Sequence, residues 1–225
     1  MPRTILLTSK GLPPDLEQPA ALGPNFSRLF PSPRGLHLAF VTTGVDVMPR
    51  QEYARATRAR LESLGFLVED VDLKGRSKSS LETTLEQKDV LYVVGGQTFY
   101  LLDHMRKSGF GELIGPLVDE DLVYIGPSAG AYVACPSVEM AGWKHPDINR
   151  YGVEDLTGLN LVPFLISAHF EDKFRSDVEA GADRTSLPVV AITDAQGILV
   201  QGDHYELLNP GGHEFFNGAE KFFKG

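Results

Sequence analysis

Short continuous apolar runs, each bounded by turn residues, recur along the chain and limit what it can fold into. Runs of this length without polar alternation are typical of strands covered on both faces, as in a parallel sheet. They read ILLT, LHLAFVTT, VLYVVGG, LVYIG, FLISAHF, VVAIT and ILVQ, at residues 5–8, 36–43, 90–96, 122–126, 164–170, 189–193 and 198–201. The sequence therefore predicts a buried and largely parallel sheet.

Helical patterns lie between several of these runs. Residues 51–65 and 99–109 place apolar residues near helical spacing, and each segment ends at a glycine. The alternation of strands and helices implies right-handed βαβ units and a doubly wound sheet. Near the end of the chain, Gly202-Asp203 separates two strand-like runs and predicts a hairpin. We therefore expect a mixed sheet with an antiparallel edge, in a single domain over residues 1–225.

Composition excludes several classes of protein. With 225 residues, 42% hydrophobic and 23% charged, the chain is a globular protein that needs no disulfide or structural metal to fold. Its single cysteine, Cys135, excludes a disulfide framework and a multi-cysteine zinc site. The net charge of −9 disfavours a nucleic-acid partner. No apolar stretch approaches the roughly 20 residues of a membrane span, so we expect a soluble, cytoplasmic protein without a membrane partner.

The sharpest local signal is the pentapeptide GPSAG at residues 126–130. It follows the strand LVYIG and precedes the helical run AYVAC, which is the setting that a G-x-S-x-G nucleophile elbow requires. A serine on such a turn projects its hydroxyl above the sheet edge, and the helix N-terminus adds positive partial charge where an oxyanion would form. The alternative is an ordinary glycine-rich turn between a strand and a helix.

A second glycine-rich turn, VGGQTF at residues 94–99, also joins a strand to a helix. Its adjacent glycines allow backbone N–H groups to approach a ligand closely, as in an oxyanion hole or a carboxylate cradle. The alternative is a tight turn with Thr98 as the helix N-cap. The spacing matches neither a dinucleotide fingerprint nor a P-loop, and we expect no cofactor and no metal.

An activated serine needs a base, and His169 is the best candidate. It ends the strand FLISAH, and the ends of parallel strands gather at one edge of a sheet, where Ser128 must also lie. His145, in the long segment 136–163, stays possible. The remaining histidines are expected to be structural or at the surface: His37, His104, His204 and His213.

The base in turn needs a carboxylate to orient it, and three acids are candidates. Asp194 ends the strand VVAIT at the same predicted edge, Asp147 lies between the serine and the histidine, and Glu171 lies two residues beyond His169. Each of them could equally be a solvated loop acid. The strand-end position favours Asp194.

Together these segments resemble the serine peptidase family of peptidase E and cyanophycinase. The matching segments are VVGGQTF, YIGPSAGAYVACP and SAHF, at residues 93–99, 124–136 and 167–170. The resemblance covers nearly the whole chain. It implies an α/β fold: a three-layer flavodoxin-like sandwich, related to class I glutamine amidotransferases, with a mostly parallel sheet and an antiparallel C-terminal hairpin.

The resemblance also assigns roles to residues of this chain. Ser128 matches the family's nucleophile and His169 its base. The orienting acid, usually a glutamate, falls on Asp194, with Asp147 as an alternative or supporting acid. The backbone N–H groups of Gly96 and Ala129 match the oxyanion donors.

Substrate recognition is where the chain departs from the family. Peptidase E recognises an N-terminal aspartate with basic residues beyond its histidine, and Lys173 and Arg175 lie in that neighbourhood. Gln97 replaces an asparagine, and we count it with Thr98 among the candidate substrate-binding residues. Pro127 replaces the aromatic residue that precedes the serine in peptidase E. A narrow pocket between the glycine-rich turn and segment 136–163 would limit substrates to short peptides.

The sequence thus predicts a single-domain serine exopeptidase, a monomer or homodimer, that cleaves dipeptides with an N-terminal aspartate. The alternatives within the hydrolases are an aminopeptidase of broader specificity and a cyanophycinase-like β-aspartyl peptidase. A non-catalytic amidotransferase-like binding module is the alternative from another class, and a flavodoxin-like electron carrier is weaker still.

Overall fold

The computed structural model describes residues 3–12, 22–144 and 147–223. Its strands, numbered β1 to β10, span Thr4–Thr8, His37–Val41, Leu67–Val71, Val90–Val93, Val123–Pro127, Leu165–Ser167, Val189–Ala191, Gly197–Gln201, His204–Leu208 and Glu214–Phe216. Its α-helices, numbered α1 to α7, span Leu22–Leu29, Glu52–Leu64, Lys78–Leu85, Thr98–Lys107, Phe110–Glu120, Ala129–Ala134 and Arg175–Ala182. No helix in these ranges is both long enough and apolar enough to cross a bilayer.

The central sheet has the strand order β3-β2-β4-β5-β1-β8-β9. The pairs from β3 to β1 are all parallel, and β8 and β9 continue the sheet as antiparallel strands. The β8–β9 hairpin turns at Gly202-Asp203, as the sequence predicts. The mixed α/β fold with an antiparallel C-terminal hairpin is therefore confirmed.

Alternate residues of the central strands are buried on opposite faces of the sheet. Leu6 of β1 and Phe40 of β2 belong to one apolar cluster, whose partners come from α1 and α2. Leu7 and Val41, the next residues along the same strands, belong to the other cluster, whose partners come from α3 to α6. Helices on both faces of the sheet form the three layers of the sandwich, and they explain why the strands lack polar alternation.

The mixed central sheet does not contain all of the predicted strands, and the expectation that it would is wrong. β6 and β7 pair in parallel with each other, and β10 pairs antiparallel with β7, in a separate three-stranded sheet. This small sheet packs its buried residues, such as Leu165 and Val189, into the same apolar cluster as α4 to α6. Apolar runs predict buried strands but carry no information about which sheet a strand joins.

Candidate active site

The turn between β5 and α6 holds Ser128 in a strained backbone conformation, with φ 51° and ψ −113°. Its N–H donates to the carbonyl oxygen of Thr8 over 2.8 Å. Both flanking glycines are sterically required. A Cβ at Gly126 would overlap the Gly130 carbonyl, and one at Gly130 would overlap the Val93 carbonyl. The small residues of the pentapeptide thus let the turn form, and positive φ at a non-glycine residue is the strain expected of a functional position.

His169 follows β6 and reaches the serine from the second sheet. Its Nε2 atom lies 2.9 Å from the Oγ atom of Ser128. The backbone of His169 is also left-handed, with φ 57°, and its N–H donates to the Oγ atom of Ser9 over 2.8 Å. The orientation of the His169 side chain is therefore fixed by the hydrogen bond of its backbone N–H as well as by the contacts of its ring.

Asp194 follows β7 and contacts the other side of the imidazole ring. Its Oδ1 atom lies 2.6 Å from Nδ1 of His169, and its Oδ2 atom lies 2.9 Å from Nζ of Lys10. Burial alone would raise the pKa of Asp194, but hydrogen bonds from Lys10, His169 and Ser9 outweigh it and lower the pKa to about 2. A carboxylate can only accept, so in the neutral imidazole the proton sits on Nδ1 and Nε2 is free to accept the Ser128 proton.

Ser9 links these two residues and was not found from the sequence. Its hydroxyl donates to Oδ1 of Asp194 over 2.9 Å while accepting from the His169 N–H. Ser9 is fully buried and directly follows β1. Its position at the carboxyl end of a central strand was the available signal, but a buried serine beside a strand end is too common to single out.

The second glycine-rich turn lies against the serine turn. A Cβ at Gly95 would come within 3.1 Å of the Ser128 Cβ, and one at Gly96 would overlap the Gly44 carbonyl oxygen. Within the described ranges, the N–H groups of Gly96 and Ala129 have no hydrogen-bond acceptor. Ala129 directly follows Ser128, and Gly96 directly follows Gly95, whose nearest neighbours include the Ser128 side chain. An oxyanion hole can be built from backbone N–H groups in such positions.

Asp147, the alternative acid, makes its hydrogen bonds elsewhere. It accepts from the Oγ1 atom of Thr98 over 2.5 Å and from the Thr98 N–H over 3.3 Å. Burial raises its pKa, and the bonds from Thr98 oppose that shift. Gln97 caps α4 through the Tyr100 N–H and donates to the Ile148 carbonyl. Gln97 and Thr98 thus tie segment 136–163 to α4, and neither lines the cavity.

Lys173 and Arg175 lie outside the cavity that contains Ser128. Lys173 pairs with Glu171, and Arg175 pairs with Asp172 and Glu214. The pairing also engages Glu171, the third candidate acid. His145 lies outside the described residues. His37, His104, His204 and His213 do not line the cavity either.

Lys144 is the cation that the sequence reasoning missed. It is buried, it lines the cavity, and its Nζ atom donates to the Ala168 carbonyl, next to His169. Burial lowers the pKa of Lys144 to about 8, although Asp194 and Glu171 oppose the shift. Lys144 forms no ion pair with any residue of the described ranges, and its Nζ atom lies 5.8 Å from the centre of the Phe174 ring.

The cavity has a volume of about 1200 Å³ and is wider than the narrow pocket predicted. It extends from Ser128 to α2, from which Tyr53, Ala56 and Arg60 line it. No group of three or more histidine, cysteine or acidic residues in the described part of the chain could hold a metal ion. The residues that line the cavity include Ser128, His169, Asp194, Asp147 and Lys144.

Comparison with known proteins places the chain among peptidases. The model of peptidase family S51 matches residues 5–208. The uncharacterized peptidase Lmo0363 of Listeria monocytogenes is 31% identical over 149 residues, which are 66% of this chain and 73% of that protein. Peptidase E of an Escherichia coli strain is 28% identical over 180 residues, covering 76% of this chain and 75% of that protein.

Solved structures share the fold. The 1.5 Å crystal structure of a candidate peptidase E from Listeria monocytogenes EGD-e has a TM-score of 0.78 at 24% identity, covering 94% of this chain and all of that one. A peptidase from an acI-B1 Actinobacterium has a TM-score of 0.68 at 16% identity, covering 97% of this chain and 92% of that one. At these identities the likeness concerns the fold alone.

Proposed function

This chain belongs to peptidase family S51, and on that premise we propose that it is a serine exopeptidase that hydrolyses short peptides through an acyl-enzyme. The observation that carries the proposal is the line of contacts from Ser128 Oγ to His169 Nε2, 2.9 Å, and from His169 Nδ1 to Asp194 Oδ1, 2.6 Å. These contacts match a serine, a base and an orienting acid in order.

In the proposed reaction, the Oγ atom of Ser128 attacks the scissile carbonyl carbon while its proton moves to Nε2 of His169. Asp194 stabilises the imidazolium that forms and does not take up the proton. The tetrahedral intermediate collapses when His169 returns the proton to the leaving amine, and the acyl group stays on Ser128. Water then attacks the ester with His169 as its base, which releases the acid product and restores the serine.

The N–H groups of Gly96 and Ala129 would stabilise the oxyanion of both tetrahedral intermediates. Their lack of other acceptors among the described residues supports this role, because a donor already engaged would have to break one bond to make another. Loss of one such donor typically costs about 10²–10³ in kcat. No cofactor enters this mechanism.

For the substrate, we propose dipeptides with an N-terminal aspartate, as the resemblance to peptidase E implies. Lys144 is the residue that would bind the side-chain carboxylate of that aspartate. Among the described residues, the cations Lys10, Arg60 and Lys144 line the cavity, in a chain whose net charge is −9. Lys10 is engaged by Asp194, whereas Lys144 is buried without a carboxylate partner in the described ranges. A buried ammonium gains most from an anionic ligand, because water does not screen the pair.

The proposed function is tested by hydrolysis of Asp-Leu, β-Asp-Leu, Ala-Leu, Leu-Leu and N-acetyl-Asp-Leu by wild type and Ser128→Ala. Selective, Ser128-dependent cleavage of Asp-Leu is the expected result. Lys144→Met should lose activity on Asp-Leu while keeping it on Ala-Leu, and Lys173→Met is the matched control that should change neither.

The other outcomes identify the alternatives. Cleavage of β-Asp-Leu would indicate a cyanophycinase-like enzyme, and equal cleavage of the neutral dipeptides a broader aminopeptidase. No cleavage of any substrate would favour a non-catalytic binding module. A cytoplasmic location, a single catalytic domain over residues 1–225 and a monomeric or homodimeric state stay predictions.

A further inference from the structure

Tyr53 makes a contact with the second glycine-rich turn that the proposed mechanism does not use. It lies in the first turn of α2, and its hydroxyl donates to the carbonyl oxygen of Gly95 over 2.9 Å. Partial burial raises the pKa of Tyr53, so the hydroxyl keeps its proton and remains a donor. Tyr53 is 43% exposed as a residue and lines the cavity.

The bonded carbonyl belongs to the same peptide unit as the Gly96 N–H. In a planar trans peptide, the C=O of one residue and the N–H of the next point in opposite directions. A hydrogen bond that fixes the Gly95 carbonyl therefore fixes the direction of the Gly96 N–H, for which the described part of the chain offers no acceptor.

This peptide unit needs an external anchor because both of its residues are glycines. Glycine has wide backbone freedom, so a Gly-Gly peptide can rotate about its flanking bonds at little cost. The next amide, that of Gln97, is already held by the Gly44 carbonyl over 2.8 Å. Tyr53 provides a second contact, to the Gly95 carbonyl. The Gly95-Gly96 peptide is therefore flanked by two hydrogen bonds, one at the Gly95 carbonyl and one at the Gln97 N–H.

We propose that Tyr53 is a positioning residue that aims the Gly96 N–H at the oxyanion through its hydrogen bond to the Gly95 carbonyl. This inference rests on the proposed function, since it requires an oxyanion to form. The contact joins two parts of the protein itself, so the fold orients the donor and no reorganisation is needed during the reaction.

The test compares Tyr53→Phe with wild type on the best dipeptide substrate. Phenylalanine keeps the ring that lines the cavity and removes only the hydroxyl. We expect kcat to fall roughly tenfold, which is less than the loss of a whole donor, with KM little changed. An α-aminoboronic acid that matches the substrate's first residue forms a tetrahedral adduct with serine, and its affinity should fall by a similar factor.

Tyr205→Phe is the matched control, because Tyr205 lies in β9, packs against the rings of Phe164 and Phe222, and does not line the cavity that contains Ser128. It should leave kcat, KM and boronic acid affinity unchanged. If the wild type is active but Tyr53→Phe has unchanged kcat and boronic acid affinity, the positioning role of Tyr53 is wrong and the proposed peptidase function is unaffected. A wild type that neither turns over substrate nor forms an adduct at Ser128 would overturn both the role of Tyr53 and the proposed function.

Discussion

The Nδ1 atom of His169 lies 2.6 Å from the Oδ1 atom of Asp194, and both residues follow neighbouring parallel strands of the small sheet. Ser128, in contrast, follows a strand of the central sheet. The contact between base and acid is therefore built within one sheet, and the packing of the two sheets brings the imidazole to the serine. Changes to Asp194 should accordingly affect the imidazole without disturbing the Ser128 turn.

Asp194→Asn should lower kcat by about 10⁴, because an amide can donate to Nδ1 and so favours the tautomer with its proton on Nε2. The fold should persist, as judged by an unchanged circular dichroism spectrum. Asp147→Asn is the matched control. It should weaken the tie between segment 136–163 and Thr98 and lower the free energy of unfolding by about 1 kcal/mol, with a far smaller effect on kcat. The reverse order of the two kcat losses would make Asp147 the orienting acid.

Ser9→Ala should reduce both stability and turnover. The substitution leaves the His169 N–H without its acceptor and Asp194 without one donor, at a cost of about 1–3 kcal/mol in unfolding free energy, and it frees the imidazole to move. Ser77→Ala is a control of similar chemistry, since Ser77 caps α3 through the Ser80 N–H. That variant should lose about 1 kcal/mol and keep its kcat. If Ser9→Ala is destabilised but keeps wild-type kcat, Ser9 has no role in positioning.

The preference for acidic substrates should depend on pH through Lys144. Burial lowers the pKa of Lys144 to about 8, so its ammonium is charged below that pH and neutral above it. The ratio of kcat/KM for Asp-Leu to that for Ala-Leu should therefore fall as pH rises through about 8. Taking the ratio removes the effect of groups whose titration affects both substrates equally. In Lys144→Met the ratio should be low and should not change with pH. A wild-type ratio that does not change with pH would contradict the assignment of Lys144 as the group that binds the acidic side chain.

The contribution of Lys144 to the free energy of unfolding should rise with pH, whereas its contribution to substrate preference should fall. The folded protein holds the Lys144 proton less tightly than the unfolded chain, where the pKa has its ordinary value of 10.5. Unfolding therefore takes up a proton between about pH 8 and 10.5, and the contribution of Lys144 to stability rises with pH in that range. The free energy of unfolding of wild type relative to Lys144→Met, measured with urea, should increase over this interval. A decrease would mean that the ammonium is stabilised by the fold.

Gly130→Ala should test the steric requirement of the serine turn. The added Cβ would overlap the Val93 carbonyl oxygen, and overpacking of this kind costs about 1–3 kcal/mol. Gly115→Ala is the matched control because Gly115 also lies in a helix, α5, but a Cβ there meets no atom within 4 Å. It should gain up to about 1 kcal/mol from the better helix propensity of alanine. Equal effects of the two substitutions on the midpoint of thermal unfolding would contradict this account.

The strands that continuous apolar runs predict are those that lie inside the fold. β1, β2, β4 and β5 are continuous apolar runs because helices cover both faces of the central sheet. β3 was missed because LVEDV carries acidic residues at the edge of the sheet, where most of its side chains are exposed. Because β3 has one neighbouring strand and solvent-exposed side chains, its sequence resembles that of a loop.

The candidate site could be predicted only where a local motif or a strand end marked a residue. The pentapeptide marks Ser128 directly. His169 and Asp194 were selected as strand ends of a single sheet, and they meet although the sheet is a different one, because β6 and β7 are parallel and their carboxyl ends also gather at one edge. The parallel pairing of β6 and β7 is what brings His169 and Asp194 together, whichever sheet the two strands join.

Ser9, Tyr53 and Lys144 could not be predicted because their contacts are to groups that a sequence does not mark. Two of them bond backbone carbonyls of distant segments, and Ser9 bonds a backbone N–H 160 residues away. Lys173 and Arg175 illustrate the converse. Their charge and proximity in sequence to His169 suggested a binding role, but nearby carboxylates engage both side chains outside the cavity.

Covalent trapping of Ser128 tests the central claim most directly. Wild type would be treated with a fluorophosphonate, and the adduct counted by intact mass and located by peptide mapping. The account predicts one adduct, on Ser128, with none in Ser128→Ala and much slower labelling in Asp194→Asn. A wild type that stays unlabelled, or a Ser128→Ala variant that is labelled as fast as wild type, would contradict the assignment of Ser128 as the activated nucleophile.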